Sequence, residues 1–265
     1  MSRRRDVRAR LATAGVPSPD ADASALIAFV AGQQGFDPAL TAEQAARLEE
    51  LVVLRCQRVP LQHLTGVAGF RYLDIAVGPG VFVPRPETEV LVDLALTAPF
   101  ETAIDLCTGS GAVALALATE TGARVVGVEK DPVALSWARR NVGDRVELLE
   151  ADVCLPLPLP PVDLVVSNPP YIPDAMVPRD PEVALHDPQM ALFGGPDGMD
   201  IVRAVVQRAR ELLVAGGRVL IEHGELQGEQ VRMLLADFSD VATHPDLTGR
   251  DRVTGARWPA GSARS

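Results

Sequence analysis

The sequence predicts an α/β fold: a doubly wound, mostly parallel sheet of seven strands, with a small all-helical domain ahead of it. Two observations carry this. Beyond Pro86, short runs rich in valine, leucine and isoleucine alternate with segments of helical periodicity, the pattern of strand–helix–strand units. Before Pro60, three helical patterns follow one another without a strand signal. The 265 residues, 47% of them hydrophobic, suffice for one large aliphatic core and one small one.

Residues 6–14 read as a short basic helix. Residues 20–34 place Leu26, Ile27, Phe29 and Val30 on one flank of a second. In 41–58, Thr41 is the N-cap, Gln44 completes a capping box, and Leu48, Leu51, Val52 and Leu54 recur at helical spacing. Pro60 ends this bundle, so residues 1–62 form the helical domain. A 63–86 linker follows, with period two. Phe70, Tyr72, Ile75 and Val77, a Gly78-Pro79-Gly80 turn, then Val81-Phe82-Val83 predict a β-hairpin.

The 87–265 domain begins with a helix at 87–96. Strand 102–106, helix 112–119, strand 124–128 and helix 132–141 come next, the last with Asp131 as N-cap and Pro132 at its first position. Strands at 146–149 and 164–167 lead to a long proline-rich loop, 173–188. Helix 198–213, strand 218–222 and helix 226–236 follow. Strands 241–244 and 252–258 have no helix between them, so one of the pair runs antiparallel.

Net charge is −10 and the pI about 4.9. A protein that grips a long nucleic-acid backbone needs clustered cations, so no direct nucleic-acid substrate is expected. Lys130 is the only lysine. Cys56, Cys107 and Cys154 are far apart and odd in number, which argues against a disulfide framework or a zinc site and for a reducing compartment. Arg3-Arg4-Arg5 is followed by no apolar segment of signal-peptide kind, and no run is long enough for a membrane helix. A cytoplasmic monomer with no membrane contact is expected.

Two motifs carry chemistry. Asn168-Pro169-Pro170-Tyr171 ends the run Asp163-Leu164-Val165-Val166-Ser167, placing an amide and a phenol at the carboxyl edge of the sheet, where open α/β sheets bind ligands. Neither proline can donate to a ladder, so the Asn168 side-chain oxygen and the proline carbonyls are free to accept. Two acceptors beside an aromatic face suit a planar NH2 group. A Pro-Pro turn that merely closes a buried strand is the plainer alternative.

The second motif, Asp105-Leu106-Cys107-Thr108-Gly109-Ser110-Gly111, joins the first strand of the sheet to a helix. Its glycines let backbone approach a ligand. Glu129 ends the second strand, placed to accept from two ribose hydroxyls. Asp152 follows the third, placed for an adenine amine, with Val153 or Leu155 against the ring. The loop also fits the dinucleotide fingerprint G-x-G-x-x-A. Asp105 decides between them: a carboxylate at the loop's mouth repels pyrophosphate and suits an ammonium with a sulfonium, which is S-adenosylmethionine.

Together these residues resemble class I methyltransferases that modify a planar nitrogen, and most closely the peptide chain release factor N5-glutamine methyltransferases. The likeness spans nearly the whole chain. It includes Pro84-Arg85-Pro86-Glu87-Thr88-Glu89, the LFGGPDG stretch of Leu192 to Gly198, and Asp246-Leu247-Thr248-Gly249-Arg250-Asp251-Arg252. Cys107 stands where the family often has glycine, and Glu129 where many members carry aspartate. The resemblance implies a glutamine in the Gly-Gly-Gln loop of class 1 release factors as substrate. It puts substrate contacts on Asn168, Pro169, Pro170 and Tyr171, and cofactor contacts on Cys107 to Gly111, Glu129, Val153 and Asn168. Three rivals stay open: an amine methyltransferase acting on adenine N6 or guanine N2, a ribosomal-protein glutamine methyltransferase and, against the intact loop and turn, a binding module without chemistry.

On this reading Asn168 and Pro169 accept from the target amide and Tyr171 stacks on its plane. Arg85 either seats a carbonyl of the incoming loop or pairs with Glu87 or Glu89. His186 and His223 are expected to be structural. The 173–188 loop is expected to act as a lid or bind substrate, and the 246–252 motif to shape the sheet's end with its charges paired internally.

Overall fold

The computed structural model describes residues 2–32 and 38–260. They fall into two compact units: Met1–Val67 with Val77–Pro79 and Val177–Asp187, and Ala68–Ala76 with Gly80–Met176 and Pro188–Ser265.

The first unit holds α1 (Arg3–Thr13), α2 (Pro19–Ala31), α3 (Ala42–Cys56), α4 (Leu61–Thr65) and, much later in the chain, α8 (Pro181–His186). Its core is Leu11, Leu26, Ile27, Leu51 and Val52, all essentially inaccessible. The capping box at Thr41 is complete: its hydroxyl accepts from Gln44 N at 3.2 Å, and Gln44 Oε1 accepts from Thr41 N at 2.9 Å. The expected end of the second helix, Gln33 and Gln34, lies outside the described residues. Pro60 does not close the bundle. It is the N-cap of α4, because a proline at a helix start forfeits no hydrogen bond.

Arg55 is 3% exposed and donates to Asp22 at 2.7 Å and to Glu182 of α8 at 2.6 Å. Arg58 adds a bond to Glu182 at 3.0 Å, and His186 Nε2 lies 3.3 Å from the Gln57 carbonyl. Residues 177–187, expected as part of a lid or substrate-binding loop, therefore contain a short helix tied into the helical unit by a buried arginine.

The second unit opens with a hairpin, β1 (Val67–Phe70) and β2 (Leu73–Ala76). Its turn is at Arg71-Tyr72, with Arg71 left-handed at φ 54°, and not at Gly78-Pro79-Gly80 as the sequence suggests. Residues 81–83 form no strand. Pro79 has no N–H for a ladder, and Gly80 packs so close to Val133 that a Cβ there would lie 2.6 Å from it.

The main sheet contains β3 (Thr102–Leu106), β4 (Arg124–Glu129), β5 (Glu147–Glu150), β6 (Val162–Ser167), β7 (Leu213–Glu222), β8 (Ser239–Pro245) and β9 (Asp251–Arg257), in the order 5-4-3-6-7-9-8. β9 runs antiparallel to both β7 and β8, and the other pairs are parallel, so the expectation for the last two strands holds. The helices are α5 (Glu89–Leu96), α6 (Ala112–Thr121), α7 (Pro132–Val142), α9 (Asp200–Leu212) and α10 (Gly228–Leu234). Leu164, Val165 and Val166 are all 0% exposed, so β6 is covered on both faces, as its unbroken apolar run requires.

Alternation sorts the strand residues. Ile104, Leu106, Val126, Val128, Val165, Val219 and Ile221 meet Val202, Val205, Val206 and Ala209 of α9. Asp105 faces the other way and accepts from the backbone of α6. The strand order reverses between β3 and β6, which opens a crevice at their carboxyl ends. Ser167 Oγ donates to Leu106 O at 2.6 Å, locking the two strand ends together there.

Candidate active site

The loop after β3 turns through three left-handed residues, Cys107 (φ 62°), Gly109 and Gly111 (φ 81°). At Gly111 a Cβ would lie 2.8 Å from Val142 Cγ1, so glycine is needed for packing as well as backbone. Cys107 holds the same geometry without glycine's freedom, at a cost of about 1 kcal/mol. Asp105 is 1% exposed and accepts from Thr108 Oγ1 at 2.6 Å and from Ala114 N at 3.2 Å. It therefore lies behind the loop and not at its mouth, because the pleat turns it toward α6. Burial raises its pKa to about 7.

A cavity opens at the carboxyl ends of β3 to β6. Cys107, Glu129, Asp152, Val153, Asn168 and Pro170 line it, together with Lys130, Asp131, Met190, Phe193 and Ile201. Thr108, Gly109, Ser110 and Gly111 form the turn behind its wall. Glu129 is fixed by three backbone groups: Gly109 N on Oε2, and Lys130 N and Asp131 N on Oε1, each at 2.9 Å. A carboxylate offers about four acceptor positions, so Oε2 keeps one for a further donor.

Asp152 Oδ1 accepts from Cys154 N at 2.9 Å, and Lys130 Nζ stands 3.6 Å from Oδ2. The Cys154 N–H, with Lys130, holds the Asp152 carboxyl below the ordinary range, so it is an ionised acceptor. Nothing in a local motif marks Lys130 as a site residue; its being the chain's single lysine is the visible signal.

At the other end of the cavity, Asn168 Nδ2 donates to Thr88 Oγ1 at 3.1 Å. This turns Oδ1 away from Thr88. Among the described residues none donates to Asn168 Oδ1 or to the Pro169 carbonyl. Tyr171 packs on the core and donates through its hydroxyl to Glu222 Oε1 at 3.4 Å, while its carbonyl accepts from Gln227 Nε2 at 2.9 Å. Burial pushes the Tyr171 phenol upward.

The LFGGPDG stretch braces this turn. Ile172 N donates to Leu192 O and Gly194 N to Ile172 O, both at 2.9 Å. A Cβ on Gly194 would lie 2.5 Å from the Pro170 carbonyl, and one on Gly198, at φ 75°, would overlap the Tyr171 carbonyl.

Several expected residues stand outside the cavity wall. The Arg85 guanidinium lies 5.0 Å from the Phe82 ring centroid, a cation–π contact. Glu89, one of its expected partners, accepts from Arg71 N. His223 is fully buried, with Nε2 on Thr254 Oγ1 at 2.8 Å and Nδ1 near the Gly224 carbonyl, and burial lowers its pKa. Arg252 and Asp246 pair at 3.2 Å, so the 246–252 motif does hold charges among its own members. Thr88 and Glu222 were not singled out from the sequence as site residues. For Glu222, the visible signal was its place at the end of β7, matching Glu129 at the end of β4.

Two family models match the chain: the PrmC N-terminal domain over residues 4–66 and a methyltransferase domain over residues 103–179. The release factor glutamine methyltransferases of Streptomyces coelicolor and Mycolicibacterium smegmatis are 47% and 48% identical to it, each over 94% of both chains. That of Corynebacterium glutamicum is 42% identical over 96% of both. Among solved structures, a methyltransferase from Pyrococcus furiosus superposes with a TM-score of 0.56 at 17% identity, covering 83% of this chain and 100% of that one. A T. thermophilus 16S rRNA N2 G1207 methyltransferase, in complex with AdoMet and guanosine, gives 0.54 at 21%, covering 72% and 49%. These two likenesses show the class I methyltransferase fold. The near full-length relatives show more: this chain belongs to the release factor glutamine methyltransferase family.

Proposed function

We propose that Asn168 Oδ1 and the Pro169 carbonyl hold the side-chain amide nitrogen (N5) of a glutamine in the Gly-Gly-Gln loop of class 1 release factors while it is methylated. The enzyme is S-adenosylmethionine-dependent and methylates a release-factor glutamine. The observation that carries the site assignment is the undonated Asn168 oxygen in the wall of a cavity lined by oriented carboxylates, next in the chain to the undonated carbonyl of buried Pro169.

That cavity suits the donor molecule. Glu129 presents an acceptor for a ribose hydroxyl, and Asp152 an ionised acceptor for the adenine amine. Val153, Phe193 and Ile201 offer apolar walls. Cys107 to Gly111 supply the close backbone, with Asp105 holding the loop's shape from behind. When bound, S-adenosylmethionine supplies an electrophilic methyl on a sulfonium.

An amide nitrogen is a poor nucleophile because its lone pair is delocalised into the carbonyl. As it attacks, positive charge grows on it and its two N–H bonds become more acidic. Asn168 and Pro169 accept those hydrogens and gain strength as the charge develops, which lowers the barrier without a strong general base: the electron pair of the broken methyl–sulfur bond stays on the sulfur, and one of the two N–H protons passes to solvent to leave a neutral N-methyl amide. Pro170 and Tyr171 shape the slot, with Tyr171 against the amide plane, and Arg85 seats a backbone carbonyl of the incoming loop. Residues 1–62 dock the release factor, 63–86 link, and residues 87–265 perform the transfer. The protein works as a cytoplasmic monomer, without membrane or nucleic acid.

The test is incubation with labelled donor and, in separate arms, a purified release factor, a ribosomal-protein mixture, and DNA or RNA. Label on one Gly-Gly-Gln glutamine, located by peptide mass spectrometry, is expected. Label on a base amine or on a ribosomal-protein glutamine alone overturns the reading.

A further inference from the structure

Asn168 and Pro169 read a planar NH2 group, which every glutamine carries. The two glycines ahead of the target glutamine have no side chains to read. What singles out a release factor therefore lies outside the slot, on the rim around it. The carboxyl edge of the sheet supplies two loops there. β7 runs parallel to β6, so the loop 223–227 that leaves it emerges on the same edge as the Asn-Pro-Pro-Tyr turn. β9 is antiparallel to β7 and to β8, so the turn 246–250 joining β8 to β9 stands on that edge too.

Both loops are fastened, one to the Asn-Pro-Pro-Tyr turn and each to the other. Gln227 Nε2 donates to the Tyr171 carbonyl at 2.9 Å, and Gln227 Oε1 accepts from Gly224 N at 2.9 Å. Asp246 Oδ1 accepts from Thr248 N at 2.8 Å, Thr248 Oγ1 at 2.6 Å and Arg250 N at 3.2 Å, while its Oδ2 pairs with Arg252. Arg252 Nη1 donates to the His223 carbonyl at 3.3 Å, and Arg250 Nε stands 3.6 Å from Glu225 Oε2. The 246–252 motif is thus a hydrogen-bonded turn pinned to its neighbouring loop.

Each loop holds a leucine out in solvent. Leu226 is 88% exposed and Leu247 89%. Among the described residues, the only other large apolar side chain this exposed is Tyr72, at the tip of the β1–β2 hairpin. A lone exposed apolar residue needs no explanation. Here there are two, on loops ion-paired to each other, and each is next in the chain to the buried polar residue that fixes its loop, Gln227 or Asp246. Held in place beforehand, such loops lose little freedom when a partner covers them.

We propose that Leu226 and Leu247 form an apolar contact for the release factor, taking apolar side chains from the segments that flank its Gly-Gly-Gln loop. This rests on the reading of Asn-Pro-Pro-Tyr as the slot for the target amide. The occupant follows from continuity with that slot. Leu226 adjoins Gln227, which is bonded to the turn itself. A backbone that delivers a glutamine into the slot advances about 3.3–3.6 Å per residue, so its next few residues cross the rim.

The experiment is steady-state methylation of a purified release factor by the full-length enzyme at saturating donor. It compares wild type, Leu226→Ser, Leu247→Ser, the double variant, Tyr72→Ser and Asn168→Ala, with donor affinity, thermal melting and sedimentation measured on each. Each single leucine variant is expected to raise KM for the release factor about tenfold, and the double variant about a hundredfold, the worth of covering one and two leucines. Their kcat, donor affinity and melting temperature stay at wild-type values, and Tyr72→Ser matches wild type throughout. A wild-type KM in the double variant overturns the proposal. So does a fall in kcat without a rise in KM, which would put the leucines in the slot, or an equal rise in Tyr72→Ser, which would make the effect one of surface polarity. A wild-type dimer that the double variant dissolves gives the face to a second copy and overturns it as well. Near-normal transfer by Asn168→Ala overturns the slot reading itself. Loss in Asn168→Ala with a wild-type KM in the double variant overturns only the leucine contact.

Discussion

The two ends of the cavity are built by different means. At the donor end, Glu129 is held by N–H groups of Gly109, Lys130 and Asp131, the last two its immediate successors. At the acceptor end, Asn168 is held by Thr88, 80 residues earlier, and Tyr171 by Glu222, 51 residues later. The turn's backbone is clamped by Gly194 and Gly198. The donor end is thus assembled by three consecutive strand ends and little else. The acceptor end depends on the whole sheet being in register.

Substitutions can separate these two constructions. The largest effect is expected for Asn168→Ala, with transfer falling on the order of 10²- to 10³-fold, as for loss of a transition-state acceptor or donor. Gly198→Val should come next. Its side chain overlaps the Tyr171 carbonyl, so transfer and melting temperature fall together while Glu129 stays in place. Glu129→Ala should sharpen the contrast from the other side. Donor affinity, read by calorimetry, weakens about ten- to a hundredfold, roughly one to two charged hydrogen bonds, with a smaller change in rate at saturating donor.

Asp105 gives a pH signature to the loop alone. Its folded-state pKa of about 7 lies above the ordinary 3.8, so the folded protein prefers it protonated. Its contribution favours folding below the ordinary carboxylate range and is lost as pH rises through about 7. Denaturant titrations of Asp105→Asn and wild type at about pH 5 and about pH 8 check this: the variant loses less stability on going to the higher pH. The smallest effect is expected for Thr41→Ala, which removes the capping box and costs about 1 kcal/mol of helical-unit stability. The transfer step should be unchanged.

What the sequence made legible follows the same division. The strands, the glycine loop, Glu129, Asp152 and the Asn-Pro-Pro-Tyr turn are local patterns, since a strand's apolar run and the turn ending it are neighbours in the chain. Thr88 and Glu222 are ordinary residues in ordinary positions, and only the pairing of β6 with β7 and the packing of α5 bring them to the turn. The misplaced hairpin turn has a similar cause. Gly78-Pro79-Gly80 carries the stronger turn chemistry, but Arg71 adopts the left-handed turn, held through its backbone by Glu89 and its side chain by Asp93 and Glu120. The helix at Pro181–His186 has too few residues for a periodic signal, and a distant arginine fixes it. The charge of Asp105 suggests a ligand at the loop's mouth. The pleat puts Asp105 on the far side.

The most direct test of the central claim compares wild type and Asn168→Ala in one experiment, measuring donor affinity and the methyl content of the release-factor glutamine after a single turnover. The account predicts donor binding that survives with a change far smaller than the change in rate, and methylation slowed by at least about a hundredfold. Methylation at the wild-type rate with a donor-bound Asn168→Ala enzyme would contradict it.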